Sequence, residues 1–240
     1  MLNLISNIGN PAHKHMNILV IGNETNRVEI AQKFGIQHTY NFAESLTEST
    51  PIQEAEVIFD FISARAPETL KIYNQISALV FLNTTFRTLS EVIESVGLKK
   101  VIFGFCGLPT FVNRELLEVC IYKTSDEVVL NEVCTALHTK YSLVKDQVGF
   151  ITPRVICMII NEAYFTVEEG TATREDVDLA MKLGTNYPLG PFEWTEKIGL
   201  QNIVNVLDTV HRVTGDVRYE VCALLRTESS SELNYHQPKR

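Results

Sequence analysis

A chain of 240 residues, 45% hydrophobic and 21% charged, has the length and balance of one large or two small globular domains with a real core. Its net charge of −8, with no block of Lys or Arg, excludes a surface built for a phosphate backbone and so argues against nucleic acid as a partner. No apolar run reaches the roughly 18 residues needed to cross a bilayer; the five cysteines are scattered and without C-x-x-C spacing, which reads as reduced, buried thiols of a cytoplasmic protein and not as a metal site.

Residues 1–16 read as an N-terminal extension, without the charge-then-apolar order of a secretory signal. Residues 17–21 are a short apolar run ending at Gly22, the pattern of a buried strand, and 24–34 predict a helix stopped by Gly35. A weak second strand is predicted over 36–40, and 44–54 has loop composition. Strand and helix then alternate, with strands at 57–62, 79–82, 101–105 and 119–122 and helices at 67–76, 89–96 and 125–139. Such alternation predicts a parallel sheet covered on both faces.

The texture changes after Asp146. Ile156, Ile159, Ile160, Ala163, Tyr164 and Val167 recur at steps of three and four and so share one helical face. Thr173 opens a capping pattern with Asp176, and Gly184 reads as the stop of that helix. Pro191 stands where a helix prefers its first residue, and Ile203, Leu207 and Val210 stripe a further helix that ends near Gly215. The expected class is therefore α/β: a reduced Rossmann-like parallel sheet domain over 17–145, then an all-α domain over 146–226. The polar stretch 227–240 reads as a disordered tail.

One region carries a specific signature. Asp146-Gln-Val-Gly-Phe-Ile-Thr-Pro-Arg154 is followed by Asn161-Glu-Ala, Glu168-Glu-Gly, Thr173-Arg-Glu-Asp-Val-Asp178, Ala180-Met-Lys-Leu-Gly184 and Tyr187-Pro-Leu-Gly-Pro-Phe-Glu193. In order and spacing these pieces resemble the 3-hydroxyacyl-CoA dehydrogenase family, clearly over 146–225 and more weakly over 17–145. The resemblance implies a Rossmann-type NAD domain and a helical domain that forms a homodimer interface. It also implies oxidation of the 3-hydroxyl of an acyl-CoA by hydride transfer to NAD, in fatty acid metabolism.

Against that pattern the site residues are partly kept and partly lost. The first strand-to-helix turn, Gly22-Asn-Glu-Thr-Asn-Arg27, keeps only the first glycine of G-x-G-x-x-G. Glu24 stands at the second glycine, and Arg27 at the third, where helix and strand are expected to pack. Gly22, Asn23 and Asn83 are the candidate cofactor residues, and Asn23 or Thr25 is able to cap the helix. A plain turn and a weak NAD site both remain open. Neither Asn41 nor Glu44 stands convincingly after the second strand as a grip for the ribose. The run 44–54 replaces the long helical excursion that helps the family bind CoA. The family's base, a histidine in a segment reading Gly-Leu-His-Phe-Phe-Asn-Pro, is aligned to Pro109 in a loop read as shortened, while its glutamate partner survives as Glu118. A substrate-holding Asn becomes Pro153, and Thr85 keeps a hydroxyl after Asn83. The catalytic remnants are thus Glu118 and Thr85. None of the six histidines (His13, His15, His38, His138, His211, His236) falls at a family site, and no metal spacing or Ser-His-Asp arrangement is present. Two readings follow: an NAD-dependent dehydrogenase with unusual site residues acting on an acyl-CoA-like molecule, or an inactive, dimeric ligand- or partner-binding relative.

Overall fold

The computed structural model describes residues 15–236, with side chains described as far as residue 232. The expected extension over 1–16 lies almost wholly outside the described residues. Strands β1 (Asn17–Ile21), β2 (Thr39–Ala43), β3 (Val57–Asp60), β4 (Leu79–Asn83), β5 (Ile102–Phe105), β6 (Leu116–Ile121) and β7 (Lys140–Leu143) form one sheet in the order β2-β1-β3-β4-β5-β6-β7. Helix α1 (Glu24–Phe34) follows β1, α2 (Leu89–Val96) follows β4, and α3 (Glu127–Ala136) follows β6. Helices α4 (Thr152–Glu168), α5 (Arg174–Thr185), α6 (Pro191–Ile198), α7 (Leu200–Thr214) and α8 (Ala223–His236) make the all-α part.

The sheet is Rossmann-like and mostly parallel, with one reversal: β6 runs antiparallel to β5, and β7 pairs parallel with β6. The reversal follows from the link 106–115, which is too short for a crossover, because a parallel return needs about a dozen residues or more. The second strand begins at Thr39, not at 36. Gly35 caps α1 with φ +82°, Gln37 folds back onto the carbonyl of Phe34, and Ile36 projects fully into solvent. The segment 67–75 is a 3-10 helix, and α5 ends on Asn186 in the left-handed region (φ 57°), not on Gly184. The expected disordered tail is also corrected: 227–236 belong to α8. There Ser229 is buried and its hydroxyl donates to Oε1 of Gln201 at 3.1 Å, a tie to α7 that a polar sequence does not advertise. Residues 237–240 lie outside the described residues.

Each face of the sheet has its own core. On one, α1 and α3 cover Phe59, Phe81, Phe103 and Phe105, with Phe59 and Phe81 stacked at 4.8 Å. On the other, Leu19, Ile58, Val80 and Leu82 continue without a break into Ile156, Ile160, Leu207 and Val210 of the helical part. Burying a side chain of this kind is worth about 1.5–3 kcal/mol, so the shared core fixes the helices against the strand ends. Among the described residues no helix is long and apolar enough to cross a membrane.

Candidate functional site

In open α/β sheets ligands sit beyond the carboxyl ends of the strands where the strand order reverses. Here β1 lies between β2 and β3, so the crevice is bounded by Gly22, by 60–63, by Asn83–Thr85 and by Cys106.

At the β1 turn, Gly22 is a glycine for steric reasons: a Cβ there meets Oδ1 of Asn26 at 2.4 Å and Cβ of Phe61 at 3.2 Å. The next residues close the helix end on itself. The Asn26 amide donates to Oδ1 of Asn23 and the Asn23 amide to Oδ1 of Asn26, both at 3.0 Å. These are N–H groups that a pyrophosphate on this turn would need. Glu24 pairs with Arg27 at 2.7 Å on the surface. Arg27 is exposed, and α1 packs on the sheet through Asn26, Ile30 and Phe34, so the packing position is Asn26 and not Arg27. The residues present therefore do not fit a dinucleotide pyrophosphate. The ribose side differs from the sequence expectation in the other direction: since β2 ends at Ala43, Glu44 follows it directly, the place where such folds grip a ribose.

Asn83, at the end of β4, is a clamp. Its Oδ1 accepts from the Thr85 hydroxyl (2.7 Å), the Gly107 amide (3.0 Å) and the Thr85 amide (3.2 Å), and its Nδ2 donates to the Phe61 carbonyl (3.0 Å). It thereby joins the ends of β3, β4 and β5. A Cβ on Gly107 meets Cγ of Asn83 at 2.6 Å. Thr85 is fully buried, with its carbonyl accepting from the Gly149 amide at 2.7 Å. Next to the clamp a cavity of about 20 Å³, lined in part by Phe61, Asn83 and Phe86, is no larger than one water needs.

Glu118 on β6 is half-buried and engaged. Its carboxylate accepts from the amides of Ile151 and Thr152, each at 3.0 Å, and from the Thr152 hydroxyl. It caps α4, whose first turn holds the buried Pro153; proline there costs no hydrogen bond. Cys106, at the end of β5, is 3% exposed. Burial pushes its thiol up to about 12, and the Glu118 carboxylate bears on it in the same direction, while the Leu108 amide and Thr85 hydroxyl pull it down. Pro109, the position aligned to the family's histidine, offers no side-chain proton, and the ionisable side chain that Glu118 bears on is the Cys106 thiol. A buried, protonated thiol is a poor base. The loop beyond it is fastened elsewhere: the Thr110 amide donates to Glu29 on α1 at 2.6 Å, and Phe111 stacks on Trp194 of α6 at 6.4 Å.

The signature residues of the helical part serve as scaffolding. Asp146 accepts from the Leu89 and Ser90 amides (both 2.7 Å) and caps α2. Asn161 takes the Cys222 amide at 2.9 Å, and Glu168 takes that of Leu224 at 2.8 Å, together holding the start of α8. Asp178 caps α6 through the Phe192 amide at 2.8 Å, and only a glycine at 190 leaves room for it, since a Cβ there meets its Cγ at 2.3 Å. The motif that carries the resemblance thus reports packing.

A family model described as the 3-hydroxyacyl-CoA dehydrogenase C-terminal domain matches residues 149–233. The 3-hydroxyadipyl-CoA dehydrogenase of Escherichia coli K12 is 39% identical over 92 residues, 38% of this chain and 19% of that protein. A probable 3-hydroxybutyryl-CoA dehydrogenase of Bacillus subtilis 168 is 29% identical over 183 residues, 72% of this chain and 64% of that protein. The chain therefore spans less than two thirds of either relative. The crystal structure of Mycobacterium tuberculosis FadB2 superposes with a TM-score of 0.75 at 15% identity, covering 90% of this chain and 94% of that one. That of (S)-3-hydroxybutyryl-CoA dehydrogenase from Ralstonia eutropha gives 0.70 at 16%, with the same coverage. At those identities the likeness is one of fold. Family model and relatives agree: residues 149–233 match the C-terminal domain of the 3-hydroxyacyl-CoA dehydrogenase family, and the chain as a whole is similar in sequence and fold to dehydrogenases of that kind.

Proposed function

We propose that this chain does not transfer hydride and serves as a homodimeric module for a small acyl-CoA-like ligand or a protein partner. The observation that carries this reading is the reassignment of the crevice: the amides of Asn23 and Asn26 at the start of α1 are taken by each other's side chains, and the Glu118 carboxylate caps α4. Function lives in the site and not in the fold. The five buried thiols, none in a disulfide, support a reducing compartment such as the cytoplasm. Dimerisation through the helical part is supported by α5, which has no fully buried residue, with Leu179 54% and Leu183 78% exposed.

The test is a spectrophotometric assay of the purified chain with 3-hydroxybutyryl-CoA and NAD, beside NADH fluorescence titration. The expected result is no turnover above background, since loss of a general base alone costs about 10²–10⁴ in rate. Robust NADH production that disappears in Cys106→Ala overturns the proposal. The second reading, an active NAD-dependent dehydrogenase with altered residues, is favoured by one observation, Glu44 at the ribose position. Saturable NADH binding abolished in Glu44→Ala, together with substrate-dependent NADH production, decides for it.

A further inference from the structure

At the end of the sheet away from the crevice, a cavity of about 260 Å³ opens between the C-terminal end of α2, the start of β5 and the turn Thr124–Asp126 ahead of α3. Lys99, Lys100 and Lys123 all line it, in a chain whose net charge is −8. The Lys100 ammonium donates to the carbonyls of Ile76 (3.2 Å) and Ala78, which fixes it in the wall, and burial pushes its pKa down to about 8. Lys99 is positioned through its backbone amide, which donates to Oδ1 of Asn74 at 2.8 Å. Among the described residues no carboxylate forms an ion pair with any of the three lysines. The acid of the lining, Asp126, is already engaged by the Lys123 amide and the Ser125 hydroxyl, each at 3.3 Å. Neighbouring Glu94 takes the Tyr122 hydroxyl at 3.3 Å.

Lysines near the end of a helix ordinarily offset its dipole, and that accounts for Lys99 and Lys100 after α2. It does not account for Lys123, which arrives from β6. Three cations around one concavity repel each other and focus a positive potential into it. The lining also has an apolar part: Ile93, Leu98 and Val101. We propose that this cavity is a binding site for a small phosphate monoester, with the three ammonium groups meeting the phosphate and the apolar part meeting the organic body. Lysine serves as a point charge for phosphate, and the cavity is compact enough to demand a small ligand. The site lies outside the crevice and stands whether or not hydride transfer survives.

The test titrates the full chain with phenyl phosphate, inorganic phosphate and phenol at matched ionic strength, read by calorimetry and amide chemical shifts. Phenyl phosphate is expected to bind saturably at millimolar or lower concentration, inorganic phosphate more weakly, and phenol not at all. Lys99→Glu and Lys123→Glu, both at exposed positions, are each expected to weaken phenyl phosphate by about tenfold or more. Lys100→Met is informative only if its melting point is unchanged, so the two exposed variants decide. Absence of saturable binding, equal affinity for phosphate and its phenyl ester, or binding unchanged in both exposed variants overturns the proposal.

Discussion

Glu118→Ala separates a cap from a base. In the structure the carboxylate accepts from two backbone amides at the start of α4, each at 3.0 Å, and from the Thr152 hydroxyl. Loss of a capping acceptor costs about 0.5–2 kcal/mol. Loss of a negative charge at a helix N-terminus adds about 0.3–1 kcal/mol. Because α4 is the central helix of the shared core and Glu118 is half-buried, a total near 2 kcal/mol is expected. For a chain of this size that lowers Tm by about 4–8 °C. Glu118→Gln keeps one acceptor and loses the charge, so it should cost about half as much. The assay is thermal unfolding by circular dichroism at neutral pH, with urea midpoints as a second measure. A Tm within about 1 °C of wild type for Glu118→Ala refutes the capping role and returns Glu118 to the list of poised acids.

Gly107→Ala drives a Cβ into the Asn83 side chain and is expected to destabilise by about 1–3 kcal/mol in urea unfolding; a neutral result removes the clamp from the account. Asp60 is fully buried on the Tyr73 hydroxyl (2.7 Å) and the amides of Ile62 and Ser63, and burial raises its pKa in the folded state. A raised folded pKa means that its stabilising contribution is fully present below the ordinary carboxyl range and lost as pH rises through the folded value. Asp60→Asn should therefore gain on wild type as pH rises across that window in urea midpoints, and a pH-independent difference refutes the shift. Cys106→His puts an imidazole in place of the buried thiol on which Glu118 bears. In so tight a site it should cost about 1–3 kcal/mol, and alone it should yield no NADH; turnover from this single variant means that the Asn23–Asn26 box does not bar the cofactor. Leu179→Glu with Leu183→Glu should convert a dimer to a monomer in light scattering, whereas a monomeric wild type at micromolar concentration refutes the dimer.

Much of the fold was legible because its signals are local. Asn17–Ile21, Glu24–Phe34 and Leu89–Val96 have the bounds their apolar periods and flanking glycines predict. Pro191 and Thr173 open helices for reasons contained in one turn of chain. The family signature was equally legible, since it consists of caps and tight glycines whose types admit few substitutes. What escaped the sequence was pairwise. The reversal of β6 depends on the partner it meets, the helical tail on Ser229 reaching Gln201, and the ribose position of Glu44 on where β2 finds its register with β1.

The sequence by itself determined an α/β sheet followed by helices, the family likeness of the helical part, and the loss of the glycine-rich turn. Only the tertiary structure decided what the remaining site residues do. Glu118 is a cap because packing brings the amides of Ile151 and Thr152 to it, and Thr85 and Asn83 are a clamp because Gly107 closes on them. Cys106 is an inert thiol because the core excludes water from it. A side chain's type sets which protons and hydrogen bonds it is able to offer, but its role depends on partners far away in the chain and on the water left around it, and both arise only from the fold.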